Sequence, residues 1–251
     1  MEGGRYRRLD LFRVMRIVGG VVLFTLLILL LFPRSRREAT RKLQPTCAQR
    51  LKQIGAAIRR YAVEYDHYPP QATTSAEGVP LLSWRVLILP FLGEQELYRR
   101  FRLDEPWNSP HNFPLLQEMP MEFRCPLGRN SPPHHTSYLG IAGPHAMFSG
   151  AEDGIENQRL FDPLATTMLV AEFLDVTVPW TKPDDRLIEE IGPVGKPGGI
   201  GSPHATGGFV LFCDGKVKLL TPDVSEADWR ATLTNDGGEP NSWPIGLNVV
   251  D

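Results

Sequence analysis

Residues 47–70, CAQRLKQIGAAIRRYAVEYDHYPP, constrain the fold of this chain more than any other stretch. Leu43, Cys47, Leu51, Ile54, Ile58, Tyr61 and Tyr65 recur at steps of 4, 4, 3, 4, 3 and 4. That spacing puts them on one face of a helix with about 3.6 residues per turn. Arg50, Gln53, Arg59, Arg60 and Glu64 fall on the other faces. Pro69-Pro70 stops the helix, because proline lacks the N–H and disfavours helix in the residue before it. The spacing predicts an amphipathic helix, and what precedes it predicts a tether.

The preceding segment contains an uninterrupted apolar run of sixteen residues, Ile17 to Phe32. A full span needs roughly 20. Leu11, Val14 and Met15 extend the run, and Arg13 and Arg16 can snorkel toward headgroups. An uncleaved transmembrane helix over 11–32 is therefore expected, with the lipid bilayer as its partner. A cleaved signal peptide is the weaker alternative, since no small-x-small site precedes the basic PRSRR stretch. The chain then divides into a basic N-terminal segment (1–10), the membrane helix (11–32), a basic linker (33–45) and a folded domain (46–251).

Net charge is −2, which hides an asymmetry. Residues 1–42 carry ten Lys/Arg against three acidic residues, and the remainder carries seventeen against twenty-six. The basic part suits anionic headgroups. The acidic remainder argues against a nucleic-acid partner, which would want a basic face. Arginines flank the apolar run almost equally on both sides, so charge alone leaves orientation open. Pro and Gly, 23 of each, predict a turn-rich domain with long Pro/Gly-rich loops.

Along the domain, residues 81–92 read as a short helix or helix-like turn that continues to Phe101, and a further short helix is expected near Asn112–Glu118. Residues 137–143 and 166–173 read as strands. The best hairpin is 207–221, where Asp214-Gly215 fits a type I′ turn. In its second strand Val217 and Leu219 alternate with Lys216 and Lys218, which predicts a sheet covered on one side only. Residues 195–208 form a Gly-rich loop. A helix over 225–233 is capped by Ser225, with Asp228 three residues on. The fold class is α+β: a transmembrane helix, then an amphipathic helix packed with an antiparallel β-sheet.

The helix stretch, followed by LLSWRVLILPFLGEQELYRRFRLDEPWNSPHN, closely resembles the domain of unknown function 1559 family of membrane-tethered, prepilin-like bacterial proteins. FRCP (123–126), TSYLGIAGP (136–144), VPWTKPDD (178–185) and FCDGKVKLL (212–220) add to the resemblance in the family's order. It implies a type IV pilin- or pseudopilin-like helix on a sheet, with the N-terminus cytoplasmic and the domain extracytoplasmic. It supplies no catalytic residues. One departure matters: with Gly20 as the leader glycine, Thr25 stands where prepilins carry Glu. The apolar run holds no carboxylate, so a fixed monomeric anchor is expected in place of a filament subunit.

Candidate sites are few. Trp84, Trp107 and Trp180 sit in Pro-rich stretches and are the candidates for a ligand groove. They could equally staple loops to the core. Cys47, Cys125 and Cys213 are too scattered for a CxxC motif; in an extracytoplasmic domain Cys47–Cys125 is the candidate disulfide, and three buried small hydrophobes are the alternative. His134-His135 point to different sides of an extended chain and need His111, His145 or His204 to hold a metal. Asp184, Asp185, Glu189 and Glu190 read as a solvated acidic loop without EF-hand spacing. GGIGSPHATGG (198–208) lacks phosphate-loop order. No catalytic residue, cofactor or metal is assigned. The expected role is structural or interactional, through envelope proteins. A solute- or peptide-binding module of the cell envelope is the alternative.

Overall fold

The structure, a computed structural model, describes residues 18–24, 46–126, 131–150, 154–156, 164–203, 207–235 and 248–249. Two compact units are distinguished, Met1–Lys42 and Leu43–Asp251. In the first, residues 18–24 are helical and exposed. The remainder of the expected membrane helix over 11–32, and the linker 33–45, lie outside the described residues. Among the described residues no helix is long and apolar enough to cross a membrane.

The second unit is mixed α and β. Helix α1 covers 46–65, as the spacing predicts. It ends before the prolines, at Asp66, whose φ of 62° is the left-handed turn that closes many helices. Short elements follow: β1 (Ala72–Thr74), β2 (Pro80–Ser83), α2 (Trp84–Leu87), α3 (Leu89–Leu92) and α4 (Gln95–Arg100). The expected helix from 81 thus begins later. Leu81–Ser83 pair with β1, and Ser83 Oγ caps α2 by accepting from the Arg85 amide. A 3₁₀ helix at Phe113–Glu118 occupies the expected place. Next come β3 (His135–Thr136), β4 (Tyr138–Ala142), β5 (Met168–Glu172), β6 (Val178–Pro179), β7 (Arg186–Leu187), β8 (Gly208–Phe212), β9 (Val217–Leu220), α5 (Glu226–Ala231) and β10 (Asn248–Val249).

The main sheet has six strands in the order β10-β9-β8-β5-β4-β7. Every pairing is antiparallel except β4 with β7. Two small ladders, β1-β2 and β3-β6, stand apart from it. One core joins α1, through Cys47, Leu51, Ile54, Ile58 and Tyr61, to Tyr138, Leu169, Val170, Phe209, Leu211 and Val217. Gly55 makes that approach close: a Cβ there would stand 2.6 Å from Leu211 Cδ1. Leu169 and Val170 share this face although they are consecutive, because the β5–β8 register shifts between Met168 and Val170.

The expectation of a one-sided sheet is corrected. A second core lies on the opposite face, where Leu139, Ile141, Met168, Ala171, Val210 and Phe212 meet Ile191, Val194, Ile200, Trp229 and Leu233. Lys218, expected on a wet face, is buried there. Its Nζ lies 4.3 Å from the Phe212 ring centre and donates to the Ala165 carbonyl at 3.1 Å. Period-2 alternation could not reveal this, because a lysine stem covers apolar surface while its head finds a carbonyl.

The hairpin turn is corrected as well. Gly215 has φ 85° but Asp214 does not lie at positive φ, so the turn is not type I′. A four-residue connection, 213–216, is closed by Gly215 N–H to the Phe212 carbonyl at 2.9 Å. Contacts from elsewhere set it: Cys213 N donates to Thr167 O, Asp214 N to Leu164 O, and Arg59 Nη1 to Asp214 O.

Candidate functional site

Two of the three candidate-groove tryptophans, Trp84 and Trp180, are brought together, but inside the protein. Trp84 and Trp180 are fully buried, and Trp107 packs half-buried against the same core. Phe123 links Trp84 and Trp180: it stacks on Trp180 at 5.7 Å and meets Trp84 edge-on at 6.3 Å. Phe148 stacks on Trp84, at 5.4 Å. The indole N–H groups are committed, Trp84 Nε1 to the Asp185 carboxylate and Trp180 Nε1 to Leu116 O. These rings fasten the Pro-rich segments to the core, and neither Trp84 nor Trp180 lines an open surface.

Asp185 corrects the solvated-loop reading of its acidic cluster. Asp185 and Arg85 are fully buried at their side chains and paired at 2.7 Å. Asp185 Oδ1 also accepts from the Gly140 amide at 2.7 Å. Arg85 donates from Nη1 to Ser83 Oγ and from Nη2 and Nε to Tyr138 O. Burial lowers the guanidinium's pKa and the Asp185 charge opposes that fall. This clamp ties α2 to β4 and to the segment before β7. Two other members of the cluster make surface pairs, Asp184 with Lys182 and Glu190 with Arg186.

His111, His134 and His145 lie on turns, and His135 opens β3. His111 Nε2 is 2.8 Å from Arg100 O and His135 Nδ1 is 2.9 Å from Pro133 O. His134 and His145 take left-handed backbone, φ 61° and 64°, and their carbonyls accept from Trp180 N and Asn235 N. His204 lies outside the described residues. Among the described residues no group of three or more His, Cys, Asp or Glu could hold a metal ion.

The cysteines separate into two settings. Cys47 and Cys125, both buried thiols, have their sulfurs 3.8 Å apart. Cys213 lies at the β8–β9 turn, where burial, and then the Asp214 charge, push its thiol pKa well up.

Two surface features stand out among the described residues. A cleft of about 470 Å³ is lined by Arg99, Arg100, Arg102, His111 and Leu115. Its guanidinium groups are already paired, Arg99 with Glu96, Arg100 with Glu118 and Arg102 with Glu105. The second is an aromatic ledge where the end of α1 meets α3. Tyr65, 52% exposed, has its ring centre 4.5 Å from Tyr61, 6.3 Å from Phe91 and 6.2 Å from His67. Arg60 Nη1 donates to Phe91 O and fixes the seam between the two helices. Helical spacing puts Tyr65 on the apolar stripe, but spacing alone does not show where the covering layer stops.

No curated protein and no solved structure matches the chain. The family described as "Protein of unknown function (DUF1559)", SBP_bac_10, matches residues 34–177, from the linker through β5. The pieces at 178–185 and 212–220 lie beyond that match. With more than half of its length matched, the chain belongs to the DUF1559 family.

Proposed function

We propose that this chain is a membrane-anchored, extracytoplasmic domain that works by contact with envelope proteins and not by catalysis. The aromatic ledge carries this reading. Tyr, Trp and Phe are enriched in the buried centres of protein interfaces, and here Tyr65 and Phe91 stand together beside an arginine. The anchor rests on the apolar run Ile17–Phe32 with its arginine flanks. The plan is pilin-like: an apolar segment, an amphipathic helix and an antiparallel-rich sheet. Thr25, in place of a membrane carboxylate, favours a fixed anchor over a filament subunit.

The solute-binding alternative has the arginine-lined cleft as its seat, of a volume that suits a small ligand. Its paired guanidinium groups leave little net charge to attract an anion. A photoreactive phenylalanine placed at position 65 of the full-length chain, irradiated in native membranes, tests the contact reading. A discrete protein adduct is expected. Its loss on Phe91→Ser in the same chain places the partner on the ledge. No adduct from position 65 sinks the reading.

A further inference from the structure

We propose that Cys47 and Cys125 are a disulfide-forming pair that staples the start of α1 to the segment running from Met121 to Cys125. The two residues are 78 positions apart, yet their sulfurs stand 3.8 Å from one another in a buried site. The segments are already in register around them. One turn along α1, Arg50 Nη1 donates to the carbonyl of Arg124, the residue before Cys125. Phe123, two residues before Cys125, is locked between Trp84 and Trp180. Neither thiol has to be carried to the other by folding of a loose loop. A disulfide bond is about 2.0 Å long, so the remaining gap is of side-chain scale.

Tyr138 on β4 pairs in register with Glu172 on β5, and both side chains belong to the buried interior. Burial first, then the charges of Glu172, Cys125 and Cys47, hold the Tyr138 phenol protonated well above its ordinary value. Cys213 is set apart, at the hairpin turn beside Asp214, with Tyr68 Oη donating to its carbonyl.

The oxidant is of one class, a disulfide belonging to a thiol–disulfide exchange protein or a small molecule. Cys125 keeps 7% of its surface open while Cys47 keeps none, so the Cys125 thiolate attacks the oxidant first. One oxidant sulfur leaves as a thiol with the proton lost by Cys125. The Cys47 thiolate then attacks Cys125 Sγ in the mixed disulfide. The second oxidant sulfur leaves as a thiol with the proton from Cys47. Two thiols of the chain become one disulfide, and one oxidant disulfide becomes two thiols. Closing so long a loop restricts the unfolded chain, which raises stability.

The test uses the full-length chain in detergent, equilibrated with an oxidised and reduced glutathione buffer, alkylated and mapped by mass spectrometry. The expected product links the Cys47 and Cys125 peptides and leaves Cys213 alkylated. Reduction should then lower the unfolding midpoint by about 10 °C. Cys213→Ser should keep that shift, and Cys125→Ala should abolish it. If Cys125→Ala does not fold, the wild-type map and its redox-dependent midpoint decide alone. Three alkylated thiols in oxidising buffer, a link that includes Cys213, or a linked product with an unchanged midpoint would each overturn the proposal. The result does not depend on the contact reading, because no partner takes part.

Discussion

Asp185 shows how one carboxylate can be wholly committed to architecture. It receives Arg85, the Gly140 amide and the Trp84 indole, with no exposure to water. Its partner is 100 positions away, and no sequence pattern joins them. Arg85 sits in an apolar stretch, and Asp185 in an acidic run that reads as surface. Single substitutions should therefore be costly. Asp185→Ala leaves a buried guanidinium without its counter-charge and should lower unfolding free energy by about 3–5 kcal/mol. The double variant Arg85→Met/Asp185→Ala should lose less than the two singles together, as read by urea denaturation. A loss below about 1 kcal/mol in the single variant would show that water reaches the pair.

At the scale of elements, the sequence was most legible where a strong local pattern met a matching tertiary demand. Helix α1, strands β4 and β5, the β8–β9 hairpin and the Ser225 cap on α5 all lie where spacing and turn residues predict them. What local pattern could not show was set by distant chain. The hairpin turn follows from Thr167, Leu164 and Arg59 contacts, so only Gly215 takes positive φ. The buried Lys218 and the short strands β3, β6 and β7 likewise depend on distant partners. At Gly215 an added Cβ would also stand 3.1 Å from Arg59 Cδ. Gly215→Ala should cost about 1–2 kcal/mol in thermal or urea unfolding, and Gly215→Asn less, since Asn tolerates the left-handed region. Equal costs for both would mean that Arg59 crowding outweighs backbone strain.

At the scale of the whole molecule, a sheet with a core on each face makes the domain depend on buried phenols as well as aliphatics. The Tyr61 pKa is raised to about 12, by burial first and then by the Tyr65 and Tyr98 phenols. Its unfolded value is near 10.0. The folded state therefore prefers the neutral phenol. The stability this contributes is whole below pH about 10 and is lost as pH climbs toward about 12. Tyr68 and Tyr138 shift in the same direction, also chiefly through burial. Urea midpoints should fall between about pH 10 and about 12, and the fall should be shallower in Tyr61→Phe. An identical slope would assign the loss to other groups.

Helix α1 gives its apolar stripe to its own sheet and ends in an exposed aromatic ledge at Tyr65. A pair of photo-crosslinkers in the full-length chain in native membranes tests this. A leucine-sized diazirine replaces Ile54, and a photoreactive phenylalanine replaces Tyr65. Position 54 is expected to link only within the chain, to β8 around Leu211, while position 65 links to another protein. An intermolecular adduct from position 54 would contradict it, because the stripe would then be packing against a second molecule.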